Sequence, residues 1–143
     1  MQIERVTTVN DELVAAIARL MPQLATARPP SRAELAEQLA SPACVLLVAR
    51  DPEIVGTLSL GVYRSITGLH AWIEDVVVDE AARGRGIGEA LTRAGIRAAQ
   101  ALGAHEVNLT SRPSRVAANH LYQKMGFQLR QTNLYRYPIE ETP

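Results

Sequence analysis

Apolar and polar residues alternate through QIERVTT at 2–8, the two-residue period of a strand with one buried face. The period then lengthens. Leu13, Ile17 and Leu20, flanked by Val14, Met21 and Leu24, recur every three or four residues, which predicts an amphipathic helix. Pro22 and the RPP at 28–30 end that pattern and mark 23–30 as an irregular loop. Ser31, with Glu34 three residues on, is a capping-box signature for a second helix through about Leu39. ACVLLVAR (43–50) and EIVGTLSLGVYR (53–64) read as strands joined by the short DPE connection. SITGL then turns the chain into a third strand, HAWIEDVVVD (70–79), and the three form an antiparallel meander.

Beyond a glycine-rich segment, EALTRAGIRAAQAL (89–102) has helical spacing, carries Leu91, Ile96 and Leu102 inward, and stops at Gly103. HEVNLTS (105–111) reads as a strand. RVAANHLYQKM (115–125) reads as a helix, started by Pro113 and Ser114 and closed by Gly126, and FQLRQTNLYRYPI (127–139) is strand-like. The order β-α-α-β-β-β-α-β-α-β predicts an α+β fold of three-layer α/β/α type with about four helices. Its sheet is mostly antiparallel, and only the strands bridged by the helix after the glycines pair in parallel. A chain of 143 residues fits one domain, 1–143.

Composition narrows the function classes. Fifteen Lys and Arg balance fifteen Asp and Glu, so no general pull toward nucleic acid or an anionic membrane is expected. Cys44, the sole cysteine, sits in an apolar run and reads as a buried, inert thiol; it permits neither an intrachain disulfide nor a thiolate cluster. His70, His105 and His120 form no HxxxH or HExxH pair, so no metal is expected. The N-terminal residues show no signal-peptide pattern, and no run approaches the roughly 18 apolar residues of a membrane span. A cytoplasmic protein is expected.

RGRGIG at 83–88, between VVV and the helix, is the chemical candidate. A dinucleotide GxGxxG fails, because counting from Gly84 or Gly86 puts Glu89 or Leu91 where the third glycine belongs. A P-loop fails for want of GK followed by Ser or Thr. The pattern [R/Q]xxGxG does fit, with Arg83 first and Gly86 and Gly88 as the required glycines. At a helix N-terminus such residues bare N–H groups that suit a pyrophosphate, with Arg85 and Arg83 as added donors or as solvated loop cations.

IEDVVVDEAARGRGIGEAL followed, after a strand, by AANHLYQKMGF resembles the GNAT superfamily of acetyl-CoA-dependent N-acetyltransferases, most specifically over 73–127. WIEDVVVDEAARGRGIG is also similar to glucosamine-phosphate N-acetyltransferases within it. The resemblance implies a GNAT-like sheet splayed between the strand ending at Val78 and the strand at 105–111, with acetyl-CoA in the opening. The backbone of Val76, Val77 and Val78 would meet acetyl and pantetheine groups. The segment Arg83, Gly84, Arg85, Gly86, Ile87, Gly88 and Glu89 would meet the pyrophosphate.

Acetyl transfer needs a neutral amine, a stabilised oxyanion and a proton for the departing thiolate. An alkyl amine with a pKa near ~10 arrives protonated, so a base is required. Strand alternation places Trp72, Glu74 and Val76 on one face and Ile73, Asp75 and Val77 on the other, unless a bulge shifts the parity. Glu74 is the candidate base and Asp75 the reserve; either could instead be a surface acid. The Val76 N–H is the candidate oxyanion donor. Tyr122, which the family resemblance implies as general acid, has a phenol matched to a thiolate of pKa ~8.5. Asn119, one turn earlier, could bond pantetheine. Many family members carry asparagine seven residues before the tyrosine, where this chain has Arg115. Arg112 and Arg115 could meet the CoA 3′-phosphate or an acidic acceptor, or be solvated.

No GxSxG elbow is present and the resemblance implies no nucleophile role for Cys44, so direct transfer in a ternary complex is expected in preference to an acyl-enzyme. The acceptor is expected to be a primary amine of a small molecule, with a peptide or protein amine as the alternative. The loop 23–30, the turn 64–69 and the C-terminal strands would shape its pocket. A non-catalytic CoA-binding sensor is the rival of another class. Pairing of the C-terminal run between copies would give a homodimer.

Overall fold

The computed structural model describes residues 1–140, and their contacts cluster into two units, Met1–Thr110 and a second beginning at Ser111. In the first unit β1 (Gln2–Val6) leads to α1 (Asp11–Leu20), whose first turn is capped by Asn10 accepting from the Leu13 N–H at 2.8 Å. After one 3₁₀ turn and a loop, α2 (Arg32–Ala40) starts at the predicted capping box: Ser31 accepts from Glu34 N–H, and Glu34 accepts from Ser31 N–H. Then come β2 (Cys44–Arg50), β3 (Ile54–Ser65), β4 (Gly68–Val78), α3 (Ile87–Ala101) and the two-residue β5 (Val107–Asn108).

The five strands form one sheet in sequential order, antiparallel except for the parallel pair β4–β5. The meander and the single parallel pair are as the sequence predicts. Four helices and a five-stranded mixed sheet make the fold α+β.

The sheet buries both faces. On one, Leu13, Ile17 and Leu20 of α1 and Leu35 of α2 pack with Leu46, Val48 and Val77. On the other, α3 lies close over Leu58 and Ile73. Gly95 makes that closeness possible, since a Cβ there would stand 3.1 Å from Leu58 and 3.3 Å from Ile73. Of the predicted Leu91, Ile96 and Leu102, Leu91 is buried, together with Ile87, Thr92, Gly95 and Ala99, whereas Ile96 is half-buried and Leu102, at the C-cap, is 39% exposed. Small residues, not large ones, mark the closest contact with the sheet. No helix among the described residues is long and apolar enough to cross a membrane.

The second unit contains α4 (Val116–Met125), closed by Gly126 at φ 102, where the left-handed backbone favours glycine. That turn lets the Phe127 N–H donate to the Tyr122 carbonyl at 2.9 Å and sets the Phe127 ring edge-on to Tyr122, centroids 5.6 Å apart. The strand read over 127–139 is absent: residues 127–140 form no ladder, and Leu129, Leu134, Tyr135, Tyr137 and Ile139 are exposed. Alternation alone does not make a strand without a partner edge.

Candidate active site

The floor of the site is an irregularity in β4. Ser59 pairs with Glu74 and Thr57 with Val77, so Asp75 and Val76 together face Leu58. This two-against-one count is a β-bulge. Asp75 takes φ 52, the left-handed region that Asp tolerates better than most residues.

The bulge reverses side-chain parity. Ile73 stands on the α3 face against Gly95, whereas Val77 packs into the cluster under α1 and α2, although strict alternation would put both on one face. Glu74 lies opposite Ser59, and Ser59 lines one cavity with Asp75 and Val77. Glu74, Asp75 and Val77 therefore share the face of α1 and α2, in place of the expected split that set Glu74 against Asp75 and Val77. Asp75 and Val76 also have no register partner in β3 or β5, so their backbone stands outside the regular ladder.

Partial burial, and then the charge of Asp75, push the Glu74 carboxyl above its ordinary range. This shift moves a carboxylate toward the basicity that proton abstraction at neutral pH requires. In the second unit burial likewise raises the Tyr122 phenol, opposed more weakly by Arg115, so Tyr122 stays protonated.

β5 meets β4 only at Ala71↔Val107 and Trp72↔Asn108. From Ile73 to Val78, β4 has no neighbour on that side among the described residues. The predicted strand 105–111 shrinks to Val107–Asn108. Beyond Trp72 the β4 backbone groups therefore have no ladder partner in β5, and the Val78 carbonyl accepts from Arg83 instead.

β4 leads through a 3₁₀ turn into RGRGIG. Gly84 and Gly86 both take φ 76, and a Cβ on either would meet no protein atom within 4 Å. Gly86 is the N-cap of α3 with no side-chain cap, and the helix ladder opens with Ala90 N–H donating to the Gly86 carbonyl at 3.0 Å. The helix starts at Ile87, two residues earlier than predicted, so Ile87 and Gly88 lie in the first turn, whose N–H groups precede the ladder. An exposed, side-chain-free helix start of this kind fits a pyrophosphate.

The arginines are otherwise engaged. Arg83 Nε donates to the Val78 carbonyl at 3.0 Å, and Arg85 pairs with Asp51. Asn119 Nδ2 donates to the carbonyls of Arg112 and Arg115, both at 2.9 Å, and so braces the turn that opens α4. Among the described residues no group of three or more His, Cys, Asp or Glu is placed to hold a metal ion. Sequence reasoning missed Gln38, Thr57 and Ser59, which line the cavity beside Asp75. Their strand and helix positions were legible, but their convergence depends on the bulge.

Comparison with known proteins identifies the family. The profile of the Acetyltransferase (GNAT) family matches residues 11–127, and the chain belongs to that family. The chain is 48% identical over 52 residues to the mycothiol acetyltransferase of Gordonia bronchialis, covering 36% of this chain and 17% of that protein. It is 40% identical over 91 residues to a protein of Oryza sativa subsp. japonica named "Probable glucosamine 6-phosphate N-acetyltransferase 2", covering 58% of this chain and 53% of that one. The chain thus matches about half or less of the length of these curated relatives. Among solved structures, an aminoglycoside acetyltransferase from an uncultured soil metagenomic sample superposes with TM-score 0.82 at 22% identity, over 97% of this chain and 96% of that one.

Proposed function

We propose that this GNAT-family protein is an N-acetyltransferase that moves the acetyl group of acetyl-CoA to a primary amine of a small molecule, by direct attack in a ternary complex. The observation that carries the reading is the sequence of bulge, unpaired β4 edge and uncapped α3 start on one stretch of chain, 73–88. The edge of Val76, Val77 and Val78 would hold acetyl and pantetheine, and the turn from Arg83 to Glu89 the pyrophosphate. Glu74 takes the proton of the attacking amine, directly or through water, and the Val76 N–H supports the oxyanion. Tyr122 returns a proton to the thiolate, and Asn119 orders the start of its helix. The names of both curated relatives support a small acceptor.

A thiol-release assay with acetyl-CoA and a panel of small amines tests this. Release of CoA thiol coupled to N-acetyl product is expected. Tight acetyl-CoA binding with no release from any amine would instead favour a CoA sensor, and turnover of peptide amines alone would favour a protein acetyltransferase.

The homodimer is part of the same proposal. Leu129, Leu134, Tyr135, Tyr137 and Ile139, each between 73% and 89% exposed, would be covered by a second copy. At on the order of 150 Å² each they bring roughly 750 Å² per copy, near the ~800 Å² per partner of a stable interface.

A further inference from the structure

The turn that leads into RGRGIG is gripped by the end of α1. Beyond Val78 the chain leaves the sheet, makes one 3₁₀ turn at Glu80–Ala82 and reaches the α3 N-cap at Gly86. Bonds inside this stretch close the turn: Ala82 N–H donates to the Asp79 carbonyl at 2.8 Å, and Ala81 N–H to the Asp79 carboxylate at 3.1 Å. They fix its shape but not its place against the sheet.

The place is fixed by groups from other elements. Asp79 N–H donates to the Val55 carbonyl of β3 at 2.8 Å. Arg19, in the last turn of α1, donates from Nε to the Asp79 carboxylate at 3.2 Å and from Nη2 to the Ile54 carbonyl at 2.5 Å. Gln23, at the end of the 3₁₀ turn after α1, accepts from the Glu80 N–H at 2.9 Å through Oε1.

These contacts differ from an ordinary surface pair. Arg19 bridges two segments, the first residue of β3 and the turn after β4, and its planar fork makes both bonds at once. The Asp79 carboxylate is only 18% exposed, so salt screens the pair less than an open one. Glu80 N–H opens the 3₁₀ turn, where an amide precedes the ladder, and Gln23 supplies its partner. Neither Arg19 nor Gln23 belongs to the buried face of α1, which is Leu13, Ala16, Ile17 and Leu20. Their polar heads are therefore removable without opening the core.

The far end of the stretch is anchored by Ile87, 2% exposed. Between the anchors Gly84 and Gly86 have no side chains to hold the backbone, so the anchors decide its path. We infer that Arg19 and Gln23 are positioning residues of the donor site: through the turn at Asp79 and Glu80 they set the glycine segment where its amides meet the pyrophosphate of acetyl-CoA. The inference rests on the acetyltransferase reading above.

The test uses the full-length protein with Arg19→Met or Gln23→Met, which keep the aliphatic stems and remove the polar heads. Calorimetry measures affinity for CoA and for pantetheine, which lacks the pyrophosphate. Arg19→Met is expected to weaken CoA about tenfold, the scale of one charge-assisted hydrogen bond, and Gln23→Met about threefold, with pantetheine bound as in the wild type. KM for acetyl-CoA should rise by the same factors while kcat stays within about twofold. Arg19→Lys keeps the charge without the fork and should fall between Arg19→Met and the wild type. Unchanged CoA affinity in both Met variants would overturn the inference. So would an equal fractional loss on CoA and pantetheine, because that pattern marks general loosening. If the wild type binds no CoA, the acetyltransferase reading fails by itself. Hydrogen exchange then decides the positioning: faster exchange confined to amides 80–88 in both Met variants upholds it, and unchanged exchange there sinks it.

Discussion

At Glu74 partial burial and the adjacent Asp75 charge act in the same direction, raising the carboxyl from its usual 4.5. A base works deprotonated, so activity should climb as pH rises through this raised pKa, and the acid limb of kcat/KM should lie above the ordinary carboxylate range. Glu74→Gln should abolish that limb and lower kcat by about 10²–10⁴-fold; a variant that keeps the wild-type limb would move the base elsewhere. For stability the sign is opposite. A raised carboxyl favours the folded state below pH 4.5, and that contribution is lost as pH rises through the folded pKa. Burial raises Tyr122 from 10.0, so the phenol keeps its proton throughout the neutral range, as a general acid must. Tyr122→Phe should reduce kcat by ~10²-fold or more with acetyl-CoA affinity little changed, and an undiminished kcat would remove it from the reaction.

Helix α2 shows what secures a short element. It spans nine residues and fully buries only Leu35, so its ends matter more than its packing. The side chains of Ser31 and Glu34 satisfy two amides, and Arg28 clasps Glu34 at 2.6 and 2.8 Å, holding that carboxyl down to about 2. A depressed carboxyl stabilises the fold above its unfolded pKa. The contribution should therefore be intact above pH 4.5 and fade as pH falls toward 2. Hydrogen exchange over 32–40 should quicken in that window ahead of the strands. Ser31→Ala should cost about 0.5–2 kcal/mol in denaturant unfolding, and no loss would mean that the cap is redundant. The helix borders the cavity beside Asp75 through Leu35 and Gln38, so loosening it also loosens one wall of that cavity.

For the whole molecule, the exposed apolar run from Leu129 to Ile139 leads to a test of assembly. Sedimentation velocity should show a dimer. Tyr137→Asp combined with Leu134→Asp should shift it to monomer, because buried, unpaired carboxylates oppose association. A wild type that sediments as monomer at every concentration would refute the dimer. The family match over 11–127 covers parts of both units, and within the first the sheet is packed by helices on both faces.

Where the physics is local, the sequence alone was enough. The Ser31–Glu34 cap, the helix stops at Gly103 and Gly126 and the antiparallel meander each follow from a few neighbouring residues. The proposal for the donor half of the site comes from the same kind of local signal, since RGRGIG carries its own spacing. Tertiary structure decided what depends on two segments counted against each other. Whether Glu74 and Asp75 share a face is set by the mismatch between β3 and β4, which periodicity along one strand does not contain. The length of β5, the pairing of Arg85 with Asp51 and the meeting of Thr57 with Asp75 are likewise properties of neighbours in space. A donor could thus be proposed from one short stretch, whereas the cavity beside Asp75 exists only once α1, α2 and the bulged sheet have closed around it.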